Sequence, residues 1–208
     1  MTTSARIFTP LATPLAPVTL SGRFATLEPL LAAHADEACE AVADGEIFKQ
    51  WTTDIPSPEG MDAEIERRLG QHRAGRMLPF TVRDASGRFA GMTTFMEVDA
   101  KNLRVEIGST WYRNSVRRTG LNTQAKLLLL GHAFDTLGCV AVEFRTHFFN
   151  HASRAAIARL GARQDAVLRN HRIAKNGTLR DTVVFSIIEN EWPTVRAHLE
   201  WQLEKPRG

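Results

Sequence analysis

The chain has 208 residues, 43% hydrophobic and 24% charged, the mix of an ordinary globular domain long enough to bury one core. Its formal net charge of +3 is small for this length and makes no case for a nucleic-acid partner. No run of about 18 apolar residues occurs, which argues against a spanning helix or a membrane partner. No His or Cys cluster has metal-ligand spacing, so no metal is expected.

Residues 1–17 contain Pro10, Pro14 and Pro17, little charge and no apolar stretch of the secretory type. They predict a flexible N-terminal arm, disordered or lying on a partner, ahead of a single domain over residues 18–208. Cys39 and Cys139 sit in apolar helix-like and strand-like contexts, which fits a reduced, cytoplasmic protein more simply than a disulfide.

Residues 18–27 read as a first strand broken by the turn signal Ser21-Gly22. Residues 34–42 read as a short helix. Residues 48–58 are irregular, with Trp51 in a loop between Thr and Pro residues. Residues 62–73 are amphipathic, with Ile65, Leu69 and His72 on one helical face. Residues 78–83 and 89–98 predict a hairpin around Ser86-Gly87. Residues 103–112 form the central strand. Its period of two puts Leu103, Val105, Ile107, Ser109 and Trp111 on the core face and Glu106 on the other. Gly108 inside it predicts a bulge or a close backbone approach.

Residues 122–137 form a long helix that stops at Gly138. Residues 139–148 form a strand with Val140, Val142 and Phe144 on one face and Glu143, Arg145 and His147 on the other. Asn150 caps a short helix that ends at Gly161. Residues 168–174 and 182–188 are strands joined across Asn176-Gly177, and residues 194–203 are a final helix. The strand–helix–strand unit around residue 122 implies a right-handed crossover between parallel neighbours in an otherwise antiparallel sheet.

The most informative segment is Arg117-Arg118-Thr119-Gly120-Leu121-Asn122. A turn opening into a helix aims free backbone N–H groups and the positive end of the helix dipole at one point, a place for phosphate. Arg113, Arg117, Arg118 and Lys126 add charge there, and Gly120 allows close approach. By itself the hexapeptide is weak evidence, for one Gly near two Arg before a helix is usually just a loop and a solvated helix start. Together with Glu106-Ile107-Gly108, Asn150-x-x-Ser153 and Leu160-Gly161-Ala162, it resembles the GNAT superfamily of N-acetyltransferases. The segments Arg169-x-His171, 181–186 and Glu191-Trp192-Pro193 are similar to the ribosomal-protein (RimJ/RimL-like) branch. The resemblance covers roughly residues 18–195. Asn122 departs from it, standing where the signature has Gly or Ala; as a helix N-cap Asn would preserve the turn.

The resemblance implies an α+β fold, a central mixed sheet flanked by helices, with two parallel strands splayed to admit pantetheine. It implies acetyl-CoA as cosubstrate, held by the backbone of Arg118, Thr119, Gly120, Leu121, Asn122 and Thr123, with Arg113 and Arg117 as charge partners. Ile107, Gly108 and Ser109 would line the acyl group and supply an oxyanion donor, and Asn150 would reach the pantetheine amides or simply cap its helix. Glu106 is either the general base or a carboxylate paired with Arg104 or Arg145 on the solvent face. Ser153 is either the acid for the departing thiolate or a first-turn Ser bonded to Asn150. Trp51 is either a core residue or a wall of the acceptor pocket, and the polar set His147, Arg169, His171 and Asp181 either reaches the acceptor or bonds internally. The acceptor is a primary amine, on a protein N-terminus or a small molecule. A non-catalytic acyl-CoA sensor is the alternative. The branch often pairs two chains, so a homodimer is a further expectation, with Trp192 and Trp201 either supporting that interface or packing within the chain.

Overall fold

The computed structural model describes residues 8–205. Eight strands make one sheet in the order β1-β2-β3-β4-β5-β6-β8-β7. They are β1 Leu20–Ser21, β2 Ala25–Pro29, β3 Met77–Asp84, β4 Phe89–Asp99, β5 Arg104–Tyr112, β6 Ala141–His147, β7 Arg163–Ile173 and β8 Leu179–Ile188. The helices are α1 Ala35–Ala43, α2 Met61–Arg73, α3 Leu121–Gly131, α4 His151–Ala158 and α5 Trp192–Glu204. Every neighbouring pair is antiparallel except β5 and β6.

Apolar side chains segregate by face because strand residues alternate. On one face Val105, Ile107, Val142 and Phe144 pack with Leu129 and Leu130 of α3 and Leu199 of α5. On the other, Phe89 and Met92 pack with Ala41 of α1 and Ile65 of α2. The sheet is thus a middle layer between two pairs of helices. Asn176-Gly177 makes the turn between β7 and β8, with Gly177 at φ +80, a conformation that suits Gly. Both strands begin earlier than the sequence pattern predicts, at Arg163 and Leu179, where charged residues break the apolar run.

Three expectations are corrected. The alternation along β5 does not persist. Met92 pairs with Trp111 and Thr94 with Gly108, so Ser109 and Thr110 together face Thr93. One inserted residue turns every later side chain to the opposite face. Trp111 accordingly packs beside Met61 and Ile65, away from Val105 and Ile107. Ser109, in the bulge, is exposed with φ +46.

The described part of the expected flexible arm is attached to its own domain. Leu11 and Leu15 are buried in the core, and Leu11 N–H donates to Ala100 O at 3.1 Å. Residues 1–7 lie outside the described residues. α3 begins one residue earlier than expected and its cap is Gly120, so Asn122 stands within the first turn and not at the cap. Trp192 is packed within the chain, stacked on Phe134 and donating Nε1–H to Asp135 at 3.0 Å, whereas Trp201 is exposed. Both cysteines are free thiols.

Candidate active site

β5 and β6 are registered only at Arg104, Val105 and Glu106 against Ala141, Val142 and Glu143. Beyond Glu106 the strands separate. The wedge between them opens toward the two helices that follow these strands, α3 and α4.

The turn ahead of α3 has the form that binds anions. Arg118 takes the left-handed conformation at φ +61, and Thr119 Oγ1 accepts from Leu121 N–H at 3.2 Å. Gln124 N–H bonds back to Gly120 O at 2.9 Å. The N–H groups of Asn122 and Thr123 precede that bond and, as at any helix start, lack an i−4 carbonyl within the helix. Gly120 itself is at φ −73, so the unusual backbone conformation belongs to Arg118. Arg117 and Arg118 are exposed and form no ion pair among the described residues.

Arg113 and Lys126 do not join this turn, which corrects their expected roles. Arg113 is buried and held by Glu40 at 3.0 Å, Asp44 at 3.2 Å and Phe89 O at 3.2 Å. Its charge is already matched, and it anchors α1 to the end of β5. Lys126 points into the sheet. Its Nζ donates to Thr110 Oγ1 at 3.0 Å and to Thr93 Oγ1 at 3.4 Å, and burial lowers its pKa to about 7.

Glu106 lies at the foot of the wedge and is 7% exposed. It pairs with Arg145, whose Nε is 3.5 Å from Oε2, but on a buried and not a solvent face. Burial outweighs the Arg145 charge and raises its pKa to about 7. Glu143 is bound by Arg104 and Arg145 and holds the latter in place. Gly108 explains its own identity: a Cβ there would stand 2.8 Å from Glu106 Oε1 and 2.6 Å from Met96 Sδ. Ile107 is buried beside it, in the α3 face.

Asn150 Oδ1 accepts from Ser153 N–H at 3.0 Å, the cap predicted for α4. That bond engages the backbone of Ser153, not its hydroxyl, which sits half-buried in the first turn of α4.

His147 closes β6 on the strand face it shares with Glu143 and Arg145, and Trp51 meets it there. Their rings are edge to face with centroids 4.9 Å apart. His147 accepts from Phe149 N–H through Nδ1 at 3.1 Å, while its buried Nε2 has no partner. Burial and then Arg180 keep its imidazole below the usual pKa. Trp51, His147, Phe149 and Leu179 border an open pocket of about 340 Å³. Arg172 and Arg180 line the adjoining cleft beside Asp54. Of the remaining polar set, Arg169 and Asp181 bond one another and His171 meets Thr182 at 3.1 Å. Arg172 and Arg180 had no motif to mark them; their opposition across the Asn176-Gly177 hairpin was the available signal.

The acetyltransferase (GNAT) domain model matches residues 25–163, well over half of the chain. No curated protein matches. A GCN5-related N-acetyltransferase from Brucella melitensis is 30% identical, with a TM-score of 0.81 over 93% of this chain and 89% of that one. RimJ of Mycobacterium smegmatis, in complex with CoA-disulfide, is 23% identical with a TM-score of 0.74 over 91% and 95%. The Salmonella typhimurium acetyl transferase that modifies the N-terminal serine of ribosomal protein L7/L12 is 18% identical, with a TM-score of 0.71 over 80% and 96%. These last two share the fold. On the domain match and the whole-chain similarity, this chain belongs to the GNAT acetyltransferase family.

Proposed function

We propose that the protein is an acetyl-CoA-dependent N-acetyltransferase that passes the acetyl group directly to a primary amine in a ternary complex. One observation carries this reading. β5 and β6 part beyond Glu106, a buried carboxyl of raised pKa, with the turn of residues 117–121 following β5 and the pocket of Trp51 and His147 at the end of β6.

The backbone of residues 118–123 would hold the pyrophosphate, with Arg117 and Arg118 as screening charges. The amide of Asn150 would meet the pantetheine arm. Acetyl-CoA supplies an activated acyl group whose leaving thiol has a pKa of about 8.5. An acceptor ammonium must lose a proton before attack. Glu106, with its pKa near 7, is a base strong enough to take that proton directly or through water while remaining ionised above neutrality. A backbone N–H of the Gly108-Ser109 bulge would face the oxyanion. Ser153 would return a proton to the thiolate, a minor aid for so good a leaving group.

The acceptor is a protein N-terminus, as for the Salmonella relative, or a small amine entering past Trp51 and His147. A cytoplasmic location and a homodimer accord with the RimJ/RimL-like reading. A non-catalytic sensor would retain the turn but have no rate for Glu106 to support. Thermal stabilisation by acetyl-CoA, free CoA and ATP in parallel tests the cosubstrate. A ligand at about a hundred times its Kd adds roughly 2.7 kcal/mol. Stabilisation by both CoA species and not by ATP is expected; no response to CoA removes the proposal.

A further inference from the structure

Arg172 and Arg180 are direct partners across the β7–β8 ladder, and both line the cleft with Trp51 and His147. Like charges in opposed cross-strand positions destabilise a sheet. Among the described residues their offsets are weak: the Glu106 charge acts on both without an ion pair, and Arg172 is exposed. Arg180 Nη1 reaches Asp54 only at 3.8 Å, and Asp54 is exposed and shared with Lys175 at 3.9 Å. Arg172 has no carboxylate within 4.0 Å among the described residues. Glu143 is already bound by Arg104 and Arg145, and Glu106 is engaged by Arg145. Two buried atoms in the same cleft, Arg180 Nε and His147 Nε2, lack hydrogen-bond partners. His147, 3% exposed, is covered by the exposed indole of Trp51.

We propose that Arg172 and Arg180 form an anion subsite beside Glu106, so that the acceptor is an amine carrying a carboxylate close to its nitrogen. This deepens the acetyltransferase reading and rests on it. Two sources share that chemistry: a polypeptide N-terminus followed by an acidic residue, and a free amino acid. A carboxylate between the guanidinium groups relieves their repulsion and positions the neighbouring amine over Glu106. The same charges repel polyamines and lysine-rich termini. They also lower the pKa of an incoming ammonium, which eases its deprotonation.

The test compares kcat/KM at saturating acetyl-CoA for peptides identical except for glutamate, glutamine or lysine at the second position. Free alanine and its α-amide, which carries no carboxylate, form the second arm. The wild type, Arg172→Gln and Arg180→Gln are measured together, with stabilisation by acetyl-CoA as the check on folding and cosubstrate binding. The expected result is a preference for the carboxylate-bearing acceptor over the lysine peptide of about tenfold or more, shrinking toward unity in both variants. The peptide arm or the amino-acid arm will show which source is read. Equal rates across the panel, or a preference that survives both substitutions, overturn the subsite and leave the acetyltransferase reading intact. Stabilisation by acetyl-CoA with no transfer to any acceptor overturns the subsite and the enzyme reading while sparing CoA binding. Absence of stabilisation removes both.

Discussion

Arg68 and Lys126 grip the same bulge of β5 from opposite faces of the sheet. From α2, Arg68 donates to Thr94 Oγ1 and to Ser109 O, each at 3.0 Å. From α3, Lys126 donates to Thr110, which is hydrogen-bonded to Thr93 at 2.7 Å. Both cations are buried. A bulge leaves backbone groups out of the ladder, and these two side chains fix its shape beside Glu106 and Gly108.

Arg68→Met removes a buried charge from its partner Glu64, which keeps a bond from Arg67 at 2.7 Å. It also orphans Ser109 O. A loss of about 3 kcal/mol is expected in urea denaturation. Lys126→Met removes an amine that burial already disfavours as a cation, so stability should hold while kcat falls. Wild-type stability in Arg68→Met together with wild-type kcat in Lys126→Met would refute the clamp.

Glu106 and Lys126 give stability a defined pH dependence. The folded pKa of Glu106 is raised from 4.5 to about 7, so between those values the folded state binds more protons than the unfolded one and stability falls as pH rises. The folded pKa of Lys126 is lowered from 10.5 to about 7, so from there upward the unfolded state binds more protons and stability rises. Glu106→Gln should flatten the first slope and Lys126→Met the second. The observable is the urea midpoint measured from pH 4.5 to 10.

The two residues at the start of α4 should separate by kind of defect. Asn150→Ala loses the cap and about 1 kcal/mol of stability, with a raised KM for acetyl-CoA. Ser153→Ala keeps its backbone bond to Asn150, so its stability stays at the wild-type value and kcat drops less than about tenfold. A larger loss of kcat in Ser153→Ala than in Glu106→Gln contradicts these assignments. Steady-state kinetics and a melting curve on each variant decide.

Trp51 covers His147, and its exposed ring has little fold to support. Trp51→Ala should therefore raise the acceptor KM with little change in melting temperature or in acetyl-CoA affinity. A defect in acetyl-CoA binding instead would place Trp51 on the cosubstrate side.

Most of the fold was legible because its signals are local. The alternation in β6, the Asn150 cap and the Asn-Gly turn each specify their element within a few residues. What failed depends on distant partners. Period two along β5 cannot reveal that Thr93 of β4 faces two residues of β5. The charge of Arg113 looks free in sequence because Glu40 and Asp44 are about 70 positions away. Lys126 lies close in sequence to the turn, yet α3 directs its side chain into the sheet. In the candidate site, Glu106 and Gly108 stood out in sequence as a lone carboxylate beside a glycine in the central strand, Trp51 came from the resemblance and His147 from the polar set on the late strands. Arg145, Arg172 and Arg180 look like solvated strand residues until β6, β7 and β8 are assembled.

The central claim is that Glu106 deprotonates the acceptor, and the most direct test is CoA-thiol release against pH for the wild type and Glu106→Gln at saturating amine. The account predicts a wild-type kcat that climbs through about pH 7 and then levels, following the carboxyl. In Glu106→Gln that limb should vanish, with kcat lower by about a hundredfold or more and unchanged stabilisation by acetyl-CoA. A variant that keeps the wild-type rate and the same limb would contradict the claim and return Glu106 to the role of partner for Arg145.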